Sequence, residues 1–141
     1  MKNIGVIGLG DMGSGIALNL IKNGFKVFGS DLLPARQQAF KNMGGSLEIS
    51  IADIGKKCDA VFVMVMNGSQ AKSIIFDEDG LARNMEAGST VILSATIKPS
   101  EAEEIGHLIK DTGLEFIDTP VSGGFPGAQL GTLTLMASAS E

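Results

Sequence analysis

The sequence predicts a single α/β domain built on a doubly wound, mostly parallel sheet. Three observations indicate this fold. Short apolar segments of strand length alternate with segments of helix length along the chain, as in successive βαβ units. Glycine or proline stands at most of the predicted junctions. The 141 residues, of which 44% are hydrophobic, are enough for one ordinary domain with its own core. We therefore predict one domain over residues 1–141.

Helix boundaries are indicated by proline near the start and glycine past the end, as at Pro34 and Gly24. The strands are the apolar segments between them, and residues 59–66 form the most continuous one, as expected of a central strand. The expected strands are residues 3–7, 26–30, 46–49, 59–66, 90–93 and 115–118, and the expected helices are residues 11–22, 34–43, 50–57, 69–76, 81–85 and 99–111.

The last part of the chain has a different character. Residues 119–127 are rich in glycine and proline, which favours a loop. Residues 130–137 alternate leucine with β-branched threonine, which predicts one more strand at an edge of the sheet, running antiparallel.

Residues 8–13 read Gly-Leu-Gly-Asp-Met-Gly, a Gly-x-Gly-x-x-Gly turn between the first strand and the first helix. Gly8 permits the tight turn, Gly10 lets the backbone approach a pyrophosphate, and Gly13 lets the helix lie close to the sheet. The N-terminus of the helix then directs N–H groups and a positive dipole end at the phosphates. The predicted dinucleotide-binding residues are Gly8, Leu9, Gly10, Asp11, Met12 and Gly13, with the Asp11 side chain facing solvent.

Asp31 follows the second strand, 23 residues after Gly8. This is close to the spacing of about 20 residues at which an acidic residue accepts a hydrogen bond from the ribose 2′-hydroxyl of NAD. A carboxylate repels the 2′-phosphate of NADP. The sequence therefore predicts NAD as the cofactor rather than NADP. The alternative to dinucleotide binding is that residues 8–13 form a merely structural tight turn.

Ligands of such sheets bind outside the carboxyl ends of the strands, near the point where the strand order reverses. This rule selects residues 8–13, Asp31, Met66, Asn67, residues 94–96 and residues 120–124. In the last segment, Ser122 offers a hydroxyl, and Gly123 and Gly124 can present successive N–H groups to an anion. This loop suits a substrate carboxylate, and an ordinary Ser-Gly-Gly turn is the alternative.

Composition excludes several classes of function. The net charge of −5 and the absence of Trp and Tyr argue against nucleic acid as a partner. No apolar run reaches the roughly 18 residues of a membrane span, and no signal peptide precedes the first strand, so we expect a soluble cytoplasmic protein. Cys58 and His107 are the only residues of their types, so no zinc site is expected within one chain.

Three segments together resemble the β-hydroxyacid dehydrogenases, the family that contains 3-hydroxyisobutyrate dehydrogenase. They are residues 8–20 (Gly-Leu-Gly-Asp-Met-Gly-Ser-Gly-Ile-Ala-Leu-Asn-Leu), residues 118–124 (Asp-Thr-Pro-Val-Ser-Gly-Gly) and residues 131–133 (Gly-Thr-Leu). The resemblance covers the whole chain and implies the family's N-terminal cofactor domain, with a Rossmann-type fold. Residues 67–70, 94–97 and 136–138 are similar to the branch that acts on four-carbon sugar acids such as L-threonate.

The resemblance implies an enzyme that transfers hydride between the alcohol carbon of a small hydroxy acid and NAD or NADP. It assigns Val65, Met66, Asn67 and Thr96 to the nicotinamide side, and Ser122, Gly123 and Gly124 to the substrate. Ala95 stands where many members have serine. The family's catalytic lysine, in a Gly-x-x-x-Lys helix, and its helical C-terminal domain, which closes over the substrate and usually forms the homo-oligomer, follow the segment that this chain covers. The chain alone is therefore expected to be inactive.

Two alternatives remain open. A non-catalytic dinucleotide-binding or scaffold module would share the fold but lack the base. A relative of the NADP-dependent 6-phosphogluconate dehydrogenases would need a cation after the second strand, where residues 31–33 offer none and Arg36 lies one turn further on. Lys72 and Lys110, which end two internal Gly-x-x-x-Lys segments, and His107 are expected at the surface.

Overall fold

The computed structural model describes residues 2–48, 50–94 and 97–119, and the backbone of residues 121–122, 134–135 and 138–139. The strands are β1 (Asn3–Ile7), β2 (Lys26–Ser30), β3 (Ser46–Leu47), β4 (Ala60–Val63), β5 (Thr90–Leu93), β6 (Glu115–Asp118), β7 (Val121–Ser122), β8 (Thr134–Leu135) and β9 (Ser138–Ala139). The helices are α1 (Asp11–Lys22), α2 (Pro34–Asn42), α3 (Ile51–Lys57), α4 (Gly68–Phe76), α5 (Leu81–Asn84) and α6 (Pro99–Ile109), and a 3₁₀ turn (Lys110–Thr112) follows α6.

The main sheet has the strand order β3-β2-β1-β4-β5-β6-β9, and β1 to β6 are parallel. The chain moves from β1 outward to β2 and β3, then crosses back to β4 on the other side of β1. The order therefore reverses between β1 and β4, and a ligand site is expected at their carboxyl ends. This architecture confirms the predicted Rossmann-type doubly wound α/β fold.

Two apolar layers enclose the sheet. The smaller packs Val6, Val27 and Phe40 under α1 and α2. The larger packs alternate residues of β4, β5 and β6, such as Val63 and Leu93, under α3 to α6. Strand residues of this layer are almost completely buried, as in a sheet with helices on its face. In the part of the chain that the structure describes, no helix is long and apolar enough to cross a membrane.

Two predictions about the strands are corrected. The strand predicted over residues 59–66 ends at Val63, because Met64 makes the last backbone bond to β1 through the Ile7 carbonyl and the chain of β1 then turns away at Gly8. The loop predicted over residues 119–127 contains β7, which pairs antiparallel with β8.

The predicted edge strand is antiparallel, but its position differs. β9 pairs antiparallel with β6 at Ser138–Ala139, one residue beyond the predicted range of 130–137. Within that range, β8 belongs to the separate two-stranded sheet. The third strand spans Ser46–Leu47, and Ile49 at its predicted end lies outside the described residues.

Candidate functional site

The turn after β1 has a geometry that two glycines make possible. Gly8 has a φ of +96°, and a Cβ placed on it would lie well under 3.0 Å from the Met64 carbonyl oxygen. A Cβ on Gly13 would lie equally close to the Gly8 carbonyl oxygen. Real Cβ atoms do not make such contacts with backbone, so both positions require glycine. The turn and the first turn of α1 are therefore packed backbone to backbone.

The same turn presents unpaired backbone donors. The N–H groups of Gly10, Asp11, Met12 and Gly13 have no acceptor among the described residues, whereas Ser14 already donates to the Gly10 carbonyl. These donors lie at the positive dipole end of a 12-residue helix, an arrangement that binds phosphate. The Asp11 side chain is exposed, as predicted. The residues present thus fit the pyrophosphate of a dinucleotide.

Asp31 faces this turn from the end of β2. Its Oδ2 accepts a hydrogen bond from the Leu9 N–H at 2.8 Å, and its Oδ1 accepts one from the Leu33 N–H at 2.9 Å. The side chain is only 6% exposed. The Leu9 side chain is buried in the core, so Leu9 contributes to the site by fixing the carboxylate. The structure therefore brings together the two features on which the NAD prediction depends.

Arg36 also reaches the turn, contrary to the expectation that it lies a helical turn too far along the chain. Its Nη1 is 3.6 Å from Asp31 Oδ2, and its guanidinium carbon would be 3.6 Å from a Cβ on Gly10. Arg36 is the third residue of α2, which starts close to the end of β2, and its long side chain reaches back across that gap. The separation of Arg36 from Asp31 along the chain did not indicate this ion pair, because it depends on the direction of α2.

Two exposed apolar residues lie in the segments that follow β2 and β4. Leu32 is 95% exposed directly after Asp31, and Met66 is 87% exposed after β4. The family resemblance assigns Met66 to the nicotinamide side, whereas Leu32 is not among the predicted site residues. Exposed large apolar residues at a ligand edge suit the flat faces of a bound ring. The one sequence signal for Leu32 was an apolar residue immediately after the acidic end of β2.

The other predicted residues after β4 have partners of their own. Val65 is half-buried against the main core. The Asn67 side chain caps α4 by accepting a hydrogen bond from the Gln70 N–H at 2.9 Å, and the Gln70 side chain accepts one from the Met66 N–H at 3.0 Å. This capping fixes the loop that follows β4. Asn67 therefore has a structural function at the edge where a ligand site is expected.

Three buried polar groups lie at the ends of β5 and β6. Ser94 Oγ, Asp118 Oδ1 and Thr119 Oγ1 have no hydrogen-bond partner among the described residues. Ser94 and Thr119 directly follow paired strand ends, since Leu93 pairs with Asp118. Several predicted residues next to them, Thr96, Gly123, Gly124 and the side chain of Ser122, lie outside the described residues. The described groups show that the carboxyl ends of β5 and β6 carry buried polar atoms.

Burial raises the pKa of the Asp118 carboxyl above its ordinary value of 3.8, because the charged form loses hydration. The folded protein then binds this proton more tightly than the unfolded chain, so the stabilisation is complete below pH 3.8 and is lost as the pH rises through the folded pKa. We expect Asp118→Asn, which carries no charge, to have a higher Tm than the parent protein at pH 7 and an equal Tm near pH 3.8. Thermal denaturation across this pH range tests it.

Glu115→Gln is the matched control, because Glu115 is exposed on the same strand. Its Tm should follow that of the parent protein at every pH. A lower Tm for Asp118→Asn at pH 7 would contradict the assignment, because it would mean that the Asp118 charge is stabilised by a partner.

The remaining candidates lie elsewhere. Lys72 donates to Glu104 at 2.6 Å, and His107 and Lys110 are exposed on α6 and the turn after it, as predicted. Cys58 is buried at the end of α3, where burial raises the pKa of its thiol to about 12, so it is an unreactive core residue at neutral pH.

Comparisons with known proteins agree with this geometry. Residues 3–141 match the family described as the NAD binding domain of 6-phosphogluconate dehydrogenase. The chain is 43% identical to an L-threonate dehydrogenase of Cupriavidus necator, covering 97% of this chain and 46% of that protein. It is 35% identical to a mitochondrial 3-hydroxyisobutyrate dehydrogenase of Rattus norvegicus, covering 98% and 41%. A solved 3-hydroxyisobutyrate dehydrogenase from Salmonella typhimurium superposes with a TM-score of 0.93 at 34% identity, covering 100% of this chain and 49% of that one.

Proposed function

The chain belongs to the family of the NAD binding domain of 6-phosphogluconate dehydrogenase, and on that premise we propose that it is the cofactor half of an NAD-dependent hydroxyacid dehydrogenase. One observation carries the proposal. Unpaired N–H groups of the glycine turn and the Asp31 carboxylate meet at the point where the strand order reverses. When bound, NAD accepts hydride from the alcohol carbon of the substrate. The turn binds its pyrophosphate, and Asp31 binds its adenosine ribose.

We infer a small hydroxy acid as substrate, and within that class a four-carbon sugar acid. The identity of 43% to an L-threonate dehydrogenase supports the finer assignment. In this proposal the substrate carboxylate is held by Ser122, Gly123 and Gly124. The nicotinamide is bordered by Val65, Met66, Asn67 and Thr96. The Ser94 and Thr119 hydroxyls, which have no hydrogen-bond partner among the described residues, support a polar ligand at the carboxyl ends of β5 and β6.

We propose that the rest of the enzyme adds a helical domain, the general base and the contacts between subunits. The chain spans about half the length of the curated relatives it matches. One face of the sheet also supports an added domain. Phe62, Ile92 and Ile117 form a row across β4, β5 and β6 on the face opposite the main core, and all three are partly exposed.

The decisive experiment uses the complete gene product. Calorimetric titration should show NAD binding, and an assay with a panel of short hydroxy acids should show NAD reduction, fastest with a four-carbon sugar acid. NAD binding without turnover of any acid would support the scaffold alternative. Absence of NAD binding would contradict the proposal as a whole.

Ser122→Ala tests the substrate loop. A hydrogen bond to a carboxylate contributes about 1.5–3 kcal/mol, so we expect kcat/KM to fall by about tenfold or more while the Kd for NAD stays unchanged. Ser73→Ala, which changes an exposed serine of α4, is the control and should leave both values unchanged. An unchanged kcat/KM in Ser122→Ala would remove Ser122 from the substrate site.

A further inference from the structure

We propose that Arg36 is a cofactor-specificity residue, which contacts the 2′ position of the adenosine ribose and lets the site accept NADP as well as NAD. This inference rests on the proposed function, because it assumes that the glycine turn and Asp31 bind a dinucleotide. It adds a cation to a site in which the sequence indicated only an acid.

The position of Arg36 is the first step. Its guanidinium lies beside Gly10, with Cζ 3.6 Å and both terminal nitrogens 3.7 Å from the position that a Cβ on Gly10 would occupy. The same group is 3.6 Å from Asp31, the residue assigned to the ribose. Arg36 therefore lies where the ribose and the pyrophosphate of a bound dinucleotide meet.

The second step is the balance of charge and exposure. Both oxygens of Asp31 already accept backbone hydrogen bonds, and its side chain is 6% exposed. The Arg36 side chain is 49% exposed. At 3.6 Å their contact is an ion pair longer than a hydrogen bond, and the described residues give the guanidinium no hydrogen-bond acceptor. The more accessible charge at this edge is therefore positive.

The third step is what this pair does to a 2′-phosphate. A lone carboxylate repels it, which is the basis of NAD preference. Arg36 compensates that charge and offers several N–H donors in a planar fork that matches phosphate oxygens. The 2′-hydroxyl of NAD can still donate a hydrogen bond to the Asp31 carboxylate. The pair therefore weakens discrimination between the two cofactors.

Two small probes isolate this contact. AMP and adenosine 2′,5′-bisphosphate differ only in the 2′-phosphate, so the ratio of their Kd values measures what that group adds. Calorimetry on the complete gene product should show the bisphosphate binding at least as tightly as AMP. In Arg36→Ala the affinity for the bisphosphate should fall about tenfold or more, while that for AMP changes less than about threefold.

Two further variants sharpen the test. Arg36→Lys keeps the positive charge but lacks the planar guanidinium. It should therefore retain part of the affinity that the 2′-phosphate adds to the bisphosphate. Lys41→Ala removes an exposed cation from the far end of α2 and should change neither Kd. The affinity that the 2′-phosphate adds in the parent protein should also decrease at high salt, because salt screens an exposed contact between charges.

The outcomes separate the two proposals. An equal loss for both probes in Arg36→Ala, or no loss for either, would overturn the assignment of Arg36 and leave the proposed function intact. If the parent protein binds neither AMP nor NAD, the proposed function fails and this inference fails with it.

Discussion

Replacing Gly13 with alanine is expected to lower the free energy of unfolding by about 3 kcal/mol and to weaken NAD binding at least tenfold. The added Cβ would lie well under 3.0 Å from the Gly8 carbonyl oxygen, and backbone cannot move aside as a flexible side chain can. Helix α1 must then shift away from β1, which displaces the unpaired N–H groups of the turn. Urea denaturation and calorimetric titration of NAD measure the two effects.

Gly106→Ala is the matched control, because it makes the same change within helix α6. A Cβ there would lie 3.4 Å from the Phe116 ring, an ordinary contact, and alanine favours a helix by up to about 1 kcal/mol over glycine. The control should therefore be as stable as the parent protein or slightly more so. Equal stability of the two variants would show that the close packing of the turn has no energetic consequence.

Local signals allowed the sequence to predict the elements that hold the site. Gly8 and Gly24 have positive φ values, and each ends an element where the residue type alone indicated an end. The bounds of β1, α1 and β2 matched the prediction, because each lies between such residues. The juxtaposition of Asp31 with the turn follows from the parallel pairing of β1 with β2, which a βαβ unit favours for consecutive strands.

Contacts that depend on tertiary geometry could not be predicted in this way. Arg36 follows Asp31 by five residues, more than a helical turn, and its contact with Asp31 depends on the direction of α2 and on a long flexible side chain. The early end of β4 depends on where its neighbour β1 turns away, which composition does not record. Asn67 is both a residue of the expected ligand edge and a good helix cap, and residue type alone does not separate these functions.

Replacing Asp31 with asparagine is expected to have the second large effect, although the two side chains have nearly the same shape. The carboxylate accepts at both oxygens, from Leu9 N–H and Leu33 N–H. An amide has one oxygen, so one of these donors would face an NH₂ group and lose its acceptor, at a cost of about 1–3 kcal/mol. The ion pair with Arg36 is lost as well. We expect the free energy of unfolding to fall by about 2 kcal/mol, measured by urea denaturation.

Asp31→Asn should also change the affinities for NAD and NADP differently, because the carboxylate binds the 2′-hydroxyl of NAD and repels the 2′-phosphate of NADP. We expect the NAD affinity of Asp31→Asn to fall about tenfold, whereas the affinity for NADP should not fall, because the repulsion of the 2′-phosphate is removed and Arg36 remains beside Gly10. Asp11→Asn is the control, since Asp11 is an exposed carboxylate of the same turn with no partner for its side chain among the described residues. Asp11→Asn should lower the free energy of unfolding by less than about 1 kcal/mol, which is the effect of one charge near a helix N-terminus. Unchanged NAD affinity in Asp31→Asn would mean that the ribose is bound elsewhere.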